Sequence, residues 1–556
     1  MHPVTFVLAF LMLVYLGVNY KVFLPRIHPK GRRILTILVA VIIPLALAQL
    51  YFVLTWTQAG FWYWFLDSNQ EFSLGTMFST MLLALTSALG LVIAIWGVND
   101  RRQRIFWLIL CAAFVYLAID ESGFLQIHER LDAILWRAAY SLVGGIIVVY
   151  SFFLYWRQYH EKRWLYSYFL VGLAIMGASG IFVEHIIQSF ICFIPGWGPT
   201  CHFYYVIEET FETAGTAMVF TAVAVFAITM LPAIQWRKAK PILIVAGLLP
   251  WVWISASLWI VPTVELQLWG TPVHTEYVDG NLQLVGYKPS QTVAHPGESV
   301  TFSLYLKAQA PLDTNYNWSV RLLTQPNAET VTFNDVAYFQ QYETSAWIPG
   351  IVAKKNVTVD IPEDAPAPAS YWIVAGIWYD TREPQFIPYT SSEQQALNEY
   401  QVVLGSIAIL PEVQPVAPQD LGYKFANGIE LLDFSLPSSI TIGESLPLEF
   451  WWHTESDIDG RYVQFIHLVD ESGEAHPLDR EPLGGKFPTS DWPASMTVQD
   501  QWETALDGEK FPPGTYQVFT GLYDAQTIER LPVTDANGQP ITNHAIEVGT
   551  ITIEGD

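Results

Sequence analysis

Charged side chains are scarce in this chain. Only 14% of its 556 residues are Asp, Glu, Lys or Arg, against 52% apolar and 15% aromatic, which excludes an ordinary soluble enzyme of this size. Cysteine is nearly missing, with three in all, and no CxxC pair, phosphate loop, dinucleotide fingerprint or nucleophile elbow occurs. Basic residues are missing mainly from the second half. Residues 1–262 hold 16 Lys and Arg against 12 Asp and Glu, whereas residues 263–556 hold 12 against 40, so a body of net charge +4 precedes one of −28. That acidity argues against nucleic acid as a partner.

The apolar excess lies in the first half. A hydrocarbon core of about 30 Å needs runs of about 20 residues, and about eight such runs centre near Val14, Val41, Ala88, Phe114, Ile147, Ile175, Val219 and Trp253. Of the 16 basic residues in this half, 14 fall in alternate loops: after the first, third, fifth and seventh runs. Lys and Arg near span ends stay in the cytoplasm. Residues 1–262 are therefore expected to be a polytopic all-α membrane bundle in a cell membrane, with both termini extracytoplasmic. The first run starts almost at Met1 without a basic n-region or cleavage site, the pattern of a retained helix. Gly144-Gly145 and Gly177-Ala178-Ser179-Gly180 are expected to be small-residue helix contacts. Cys192 and Cys201 bracket the loop FIPGWGPT, which this topology places outside, where a disulfide between them would persist. Cys111 lies within a span and is expected to serve packing.

After Pro262 the pattern becomes short alternating segments broken by Gly, Pro, Asn and Asp, the pattern of all-β sandwiches. Two copies are visible. The stretch 281–287 (NLQLVGY) answers to 428–434 (GIELLDF), 296–300 (PGESV) to 442–446 (IGESL), and 376–380 (GIWYD) to 521–524 (GLYD). The fold class expected is a helical membrane domain (1–262) followed by two immunoglobulin-like sandwiches, 263–411 and 412–556, joined through the stiff linker 411–418. Trp372, Trp378, Trp451 and Trp452 are most simply core residues; lining a sugar-binding face is the alternative.

The second copy, with FIHLVDESGEAHPLDREPLGGKFPTSDWP and FPPGTYQVFTGLYDAQTIERLPV, resembles β-sandwich modules at the extracytoplasmic end of some bacterial multi-span membrane proteins, including membrane glycosyltransferases. That resemblance implies a location and leaves activity open. The membrane half resembles integral-membrane zinc hydrolases of the ceramidase and adiponectin-receptor type in span number and in helix-borne acids and histidines. Their paired-histidine motif has no counterpart here, so no residue is carried over.

Acids recur toward the outer ends of three spans: Asp120 and Glu121, Glu184 beside His185, and Glu208, Glu209 and Glu212. Ionisable groups at bilayer depth are costly and mark function. Glu121 and His128 share a helix face, as do Glu184 and Gln188, and Glu208 and Glu212. Counting Glu129 and Asp132, eight acids meet only Arg130 and Arg137 in these outer halves. They must take protons, share a cation, or form a structural network. Carboxylates with histidines suit a divalent ion such as iron, manganese or zinc, and helical bundles build such sites from facing helices. Glu121, His128, Glu184, His185, Glu208 and Glu212 are the candidate metal ligands; Asp120, Glu209 and Gln188 are candidate supports behind them. The Glu-x-x-His spacing usual in dimetal bundles is absent.

Three functions follow: a metal-dependent enzyme acting on a lipid or lipid-linked substrate at the outer leaflet; a non-catalytic surface protein whose sandwiches bind envelope glycan or a partner protein while its bundle anchors or conducts protons or cations; and a divergent lipid-linked sugar transferase with Asp67 as base. Asp67 lies in the segment FWYWFLDSNQEF, whose aromatics most simply form an interfacial belt. The tripeptides 317–319 and 356–358 match glycosylation acceptors.

Overall fold

The computed structural model describes residues 3–55, 60–66, 73–122, 133–156, 163–179, 204–336, 343–380 and 384–555. The chain divides into two units, one of Met1–Glu265 with Ala308–Tyr316 and Tyr338–Ala353, the other of Leu266–Lys307, Asn317–Ala337 and Lys354–Asp556.

The first unit is helical: Pro3–Val18 (α1), Pro29–Thr55 (α2), Phe61–Leu66 (α3), Leu74–Val92 (α4), Arg101–Glu121 (α5), Ala133–Ser151 (α6), Arg163–Ala178 (α7), Tyr204–Met230 (α8), Ala233–Trp259 (α9) and Val261–Trp269 (α10). Helices thus cover the positions of all eight expected runs. Five stretches are long and apolar enough to cross a membrane: Pro29–Phe52, Leu74–Gly97, Arg101–Glu121, Val206–Met230 and Gln235–Trp259. The described helices at the first, fifth and sixth positions have shorter apolar stretches.

Local chemistry starts two of the spans. Ser73 caps α4 by accepting from the Thr76 N–H at 3.2 Å, and Asp100 caps α5 by accepting from the Gln103 N–H at 3.2 Å, each satisfying a donor that the helix start leaves open. Pro44, Pro241 and Pro250 lie inside helices, a placement spanning helices tolerate when neighbouring groups take up the freed carbonyls.

Helix α8 is central, packing on α7, α2 and α4, and α4 packs in turn on α5 and α9. The tightest crossing joins Gly172 of α7 to Gly215 of α8. A Cβ on Gly215 would stand 2.5 Å from the Met176 backbone nitrogen and 2.8 Å from the Gly172 carbonyl oxygen. Of the expected contacts, a Cβ on Gly144, Gly145 or Gly177 would meet nothing within 4 Å among the described residues, and Gly180 lies outside those residues. Ser179 of the same stretch is buried, while Gly172 and Gly215 carry the close approach. Cys111 is unpaired and half-buried, 3.3 Å from the Ser87 hydroxyl. Cys192 and Cys201 lie outside the described residues.

Within this unit the short turn Thr344–Ala346 sits against α3. The Gly60 N–H donates to the Ser345 hydroxyl at 2.9 Å. Asn315 fixes the turn from both ends of its amide, donating to Glu343 at 2.9 Å and accepting from the Ser345 N–H at 3.0 Å. On α3, Trp62 is exposed and Trp64 buried; only the former can serve the expected interfacial belt.

The C-terminal region is all-β. Its first twelve strands are Thr271–Tyr277 (β1), Leu282–Pro289 (β2), Val293–Ala294 (β3), Ser299–Ala308 (β4), Tyr316–Thr324 (β5), Thr330–Val336 (β6), Val352–Asp360 (β7), Ala369–Asp380 (β8), Pro384–Ile387 (β9), Tyr389–Ser392 (β10), Gln395–Ala396 (β11) and Gln401–Ile409 (β12). They form a sheet of order β10-β1-β2-β4-β7 and another of order β11-β12-β8-β5-β6, with β3 on β12 and β9 on β8. The other ten are Tyr423–Phe425 (β13), Ile429–Ser435 (β14), Ser439–Thr441 (β15), Ser445–Thr454 (β16), Tyr462–Val469 (β17), Ala475–Pro477 (β18), Thr497–Ala505 (β19), Gly514–Asp524 (β20), Val533–Thr534 (β21) and Ile546–Glu554 (β22). Their sheets run β19-β16-β14-β13-β21 and β15-β22-β20-β17-β18. Alternate residues of both sheets, such as Leu448 and Trp452 from one and Ile466, Leu468 and Val518 from the other, share one core.

The repeat extends to atomic detail. Gly297 and Gly443 take left-handed backbone conformations, φ +85° and +94°, which a side chain would strain. One residue later, Glu298 and Glu444 accept from the N–H groups of His295 (2.9 Å) and Thr441 (3.2 Å). Tyr371 and Tyr516 each donate to a proline carbonyl, of Pro366 and Pro512, at 2.6 Å. Between the copies, Val413 and Val416 are 82% and 88% exposed. Trp378, Trp451 and Trp452 are buried and Trp372 half-buried.

Candidate carboxylate site

The end of α5 and the start of α8 bring acids together against α4. Glu121, last residue of α5, accepts a hydrogen bond from the Ser79 hydroxyl of α4. Two turns into α8, half-buried Glu212 lies within electrostatic range of Glu121, Glu208 and Asp120. Glu208 and Glu212 are joined by i, i+4 spacing on one helix face, and the crossing of α4 with both α5 and α8 draws Glu121 toward them. Asp120, expected behind the ligands, belongs with Glu121 among the charges that face Glu212.

Small polar side chains are buried on the same helices: the cap Ser73 and Thr76, Ser79 and Thr80 at the start of α4, and Thr210 and Thr213 of α8. Gln49 of α2, also buried, lies 3.5 Å from the Thr210 hydroxyl. No three of the described membrane acids bring ligand oxygens within 4.8 Å of one another; the described part of the site is a set of carboxylates in mutual range. His128, Glu184, His185 and Gln188 lie outside the described residues, as does Asp67. Glu209 is half-buried on a helix position diverging by about 100° from Glu208.

An apolar cavity of this unit lies elsewhere. About 40 Å³ in volume, it lies among Phe106, Trp107, Tyr155, Tyr166, Phe169 and Phe226, toward the opposite end of α5 from Glu121.

One group of possible metal ligands went unnoticed in the sequence. In the turn between β17 and β18, single ligand atoms of Asp470, Glu474 and His476 lie within 4.8 Å of one another. One oxygen of Asp470 is occupied by the turn itself, accepting from the Ser472 hydroxyl (2.6 Å), the Ser472 N–H (2.8 Å) and the Glu474 N–H (2.9 Å). Its other oxygen is 3.4 Å from His476 Nε2. The Ser472 hydroxyl, followed by the Glu474 N–H and His476, holds the Asp470 carboxyl down from 3.8 to about 2. The stretch DESGEAH carries the signal, an Asp heading a tight turn with a Gly, and its hydrogen bonding is that of a self-capped turn.

Residues 35–227 match the model of a family described as a domain of unknown function (DUF8692). The match runs from α2 through α8 and includes every membrane acid discussed above. No curated protein matches. Among solved structures, the chain is similar to a DUF4785 family protein from Legionella pneumophila subsp. pneumophila str. Philadelphia 1, at 11% identity over 47% of this chain and 57% of that one, with a TM-score of 0.15. It is also similar to a β-glucosidase from Listeria innocua in complex with isofagomine, at 17% identity over 29% of this chain and 19% of that one, with a TM-score of 0.14. The chain thus spans less than two thirds of either structure, and similarities at this level carry no argument about activity.

Proposed function

We propose that this protein is a multi-pass membrane protein of eight spans whose outer-leaflet carboxylates and histidines hold a divalent cation, and that it acts through that ion on a lipid or lipid-linked substrate. Its C-terminal body is then a pair of extracytoplasmic immunoglobulin-like sandwiches. The observation that carries the reading is the convergence of Glu121, Asp120, Glu208 and Glu212 from two helices onto one region, with Ser79 orienting Glu121 from a third. Like charges gathered in an apolar bundle repel unless a cation or protons neutralise them. An all-oxygen set of this kind fits a hard ion, and His128 and His185 would extend it toward zinc or iron.

Within such a site the chain's own work is placement. Glu121 and Glu212 would hold the ion from facing helices, Ser79 would fix the Glu121 rotamer, and Glu208 would stand one turn nearer the surface to receive a proton. The bound ion would supply Lewis acidity and an activated water.

Elemental analysis of the purified full-length protein in detergent tests this. The expected outcome is stoichiometric iron, manganese or zinc, lost in Glu212→Ala and Glu184→Ala. Metal-free unmodified protein after purification without chelators and reconstitution with each ion would overturn it.

A further inference from the structure

The second β region carries a separate trough on the outer face of its β15-β22-β20-β17-β18 sheet. It has a volume of about 910 Å³ and is lined by His467, Phe519, Arg530, Thr542, Asn543 and Glu547 among others. The register explains it. Because Ile466, Leu468, Val518 and Thr520 point into the core, their neighbours Phe465, His467 and Phe519 point outward. Phe465 pairs with Gly521 and His467 with Phe519, and Phe519 pairs with Glu547. The outward row therefore reads His467, Phe519, Glu547 across three strands.

Beside that row a flat stack is built in advance. The missing side chain of Gly521 leaves room for the Phe465 ring, which lies where a Cβ would stand, 2.6 Å away. The Arg530 guanidinium covers the ring at 4.3 Å from its centroid and is tethered by a 3.1 Å hydrogen bond to the Asn543 carbonyl. Arg530 thus presents a fixed plane with most of its five N–H groups uncommitted by that bond. His467 Nε2 lies 3.4 Å from Asp479 Oδ1, which orients the imidazole.

We propose that this trough binds a neutral oligosaccharide. A sugar ring has an apolar C–H face and a rim of hydroxyls that donate and accept. Phe519 offers an apolar plane for the face; Arg530, Asn543, Thr542, His467 and Glu547 offer donors and acceptors for the rim. The charges do not favour an anion: with His467 neutral, Arg530 is outnumbered by Asp479 and Glu547, while the −28 carried by residues 263–556 repels anionic polymers. The volume falls within the range of about 300–1,000 Å³ usual for small-ligand sites, whereas a protein partner would need a broader face.

Calorimetric titration of the purified full chain with cellohexaose, maltohexaose and chitohexaose, and with a hexagalacturonate as anionic probe, tests the proposal. At least one neutral oligomer is expected to bind with a Kd below about 1 mM. Phe519→Ala and Arg530→Gln are each expected to weaken it at least tenfold, with Phe519→Leu, which keeps bulk without the flat ring, in between. Glu412→Ala on the exposed linker is expected to change nothing. Near-ultraviolet circular dichroism verifies that each variant is folded, and Arg530→Lys, on an exposed side chain, provides a variant that preserves charge while losing the plane. Failure of all three neutral oligomers to bind, undiminished binding by the folded Phe519 and Arg530 variants, or preference for the hexagalacturonate would overturn it.

Discussion

Ser79 of α4 donates its hydroxyl proton to the carboxylate of Glu121 across the α4–α5 crossing. That bond takes one carboxylate lone pair and fixes where the others point, which is how outer groups orient a metal ligand. If the proposed divalent ion is held there, Ser79→Ala is expected to lower affinity for it about 10–100-fold, measured by competition against a chelator of known affinity, with Ser79→Thr recovering most of it. Affinity unchanged in Ser79→Ala would remove Glu121 from the proposed ligand set.

The contact between Gly172 and Gly215 has a sharper steric prediction. Gly215→Ala would force a methyl group to within 2.5 Å of the Met176 backbone, so α7 and α8 must separate. A loss of about 1–3 kcal/mol is expected, read as a lower unfolding temperature in detergent. Gly144→Ala, facing open space among the described residues, is expected to leave that temperature nearly unchanged or raise it slightly, since alanine is the better helix former.

These glycines show where the sequence was legible. Long apolar runs and the switch to two-residue alternation gave the helical and all-β halves, because burial requires those periods. The tandem copies were visible because a turn such as PGESV needs Gly at one position and Glu at the next for reasons local to the turn. Gly172 and Gly215 were not visible, since a close crossing depends on where two distant helices meet. For the same reason spacing could pair Glu208 with Glu212 on one helix but could not find Ser79. Phe465 and Arg530 required knowing that Gly521 lies opposite Phe465, a matter of register that only strand pairing fixes.

Inside the second β region, Arg480 forms an ion pair with fully buried Asp500 and lies 4.4 Å from the Trp502 ring centroid. Removing one partner strands the other in the core. Asp500→Ala is expected to cost about 3–5 kcal/mol, whereas replacing both with Leu is expected to cost much less. Denaturant unfolding followed by Trp fluorescence measures the difference. A single variant as stable as the unmodified protein would mean that water reaches the pair.

Acid acts on the same region through two groups whose windows open at different pH, below 6.5 for His467 and below 3.8 for Asp470. Burial, with Arg530 nearby, pushes the His467 imidazole below its ordinary 6.5, so between 6.5 and its folded value the unfolded chain binds more protons. Stability from keeping His467 neutral is thus complete above 6.5 and declines as pH falls through that interval. Asp470, held down to about 2 by the Ser472 hydroxyl and then the Glu474 N–H, contributes stability that is complete above 3.8 and is lost as pH falls toward 2. Hydrogen exchange is expected to show the outer face around His467 loosening first and the turn Asp470–Glu474 holding until near pH 3. His467→Gln should abolish the first step and Asp470→Asn the second. The order follows from where the two windows open, 6.5 for His467 and 3.8 for Asp470, and a turn that opens before the His467 face would contradict both assignments.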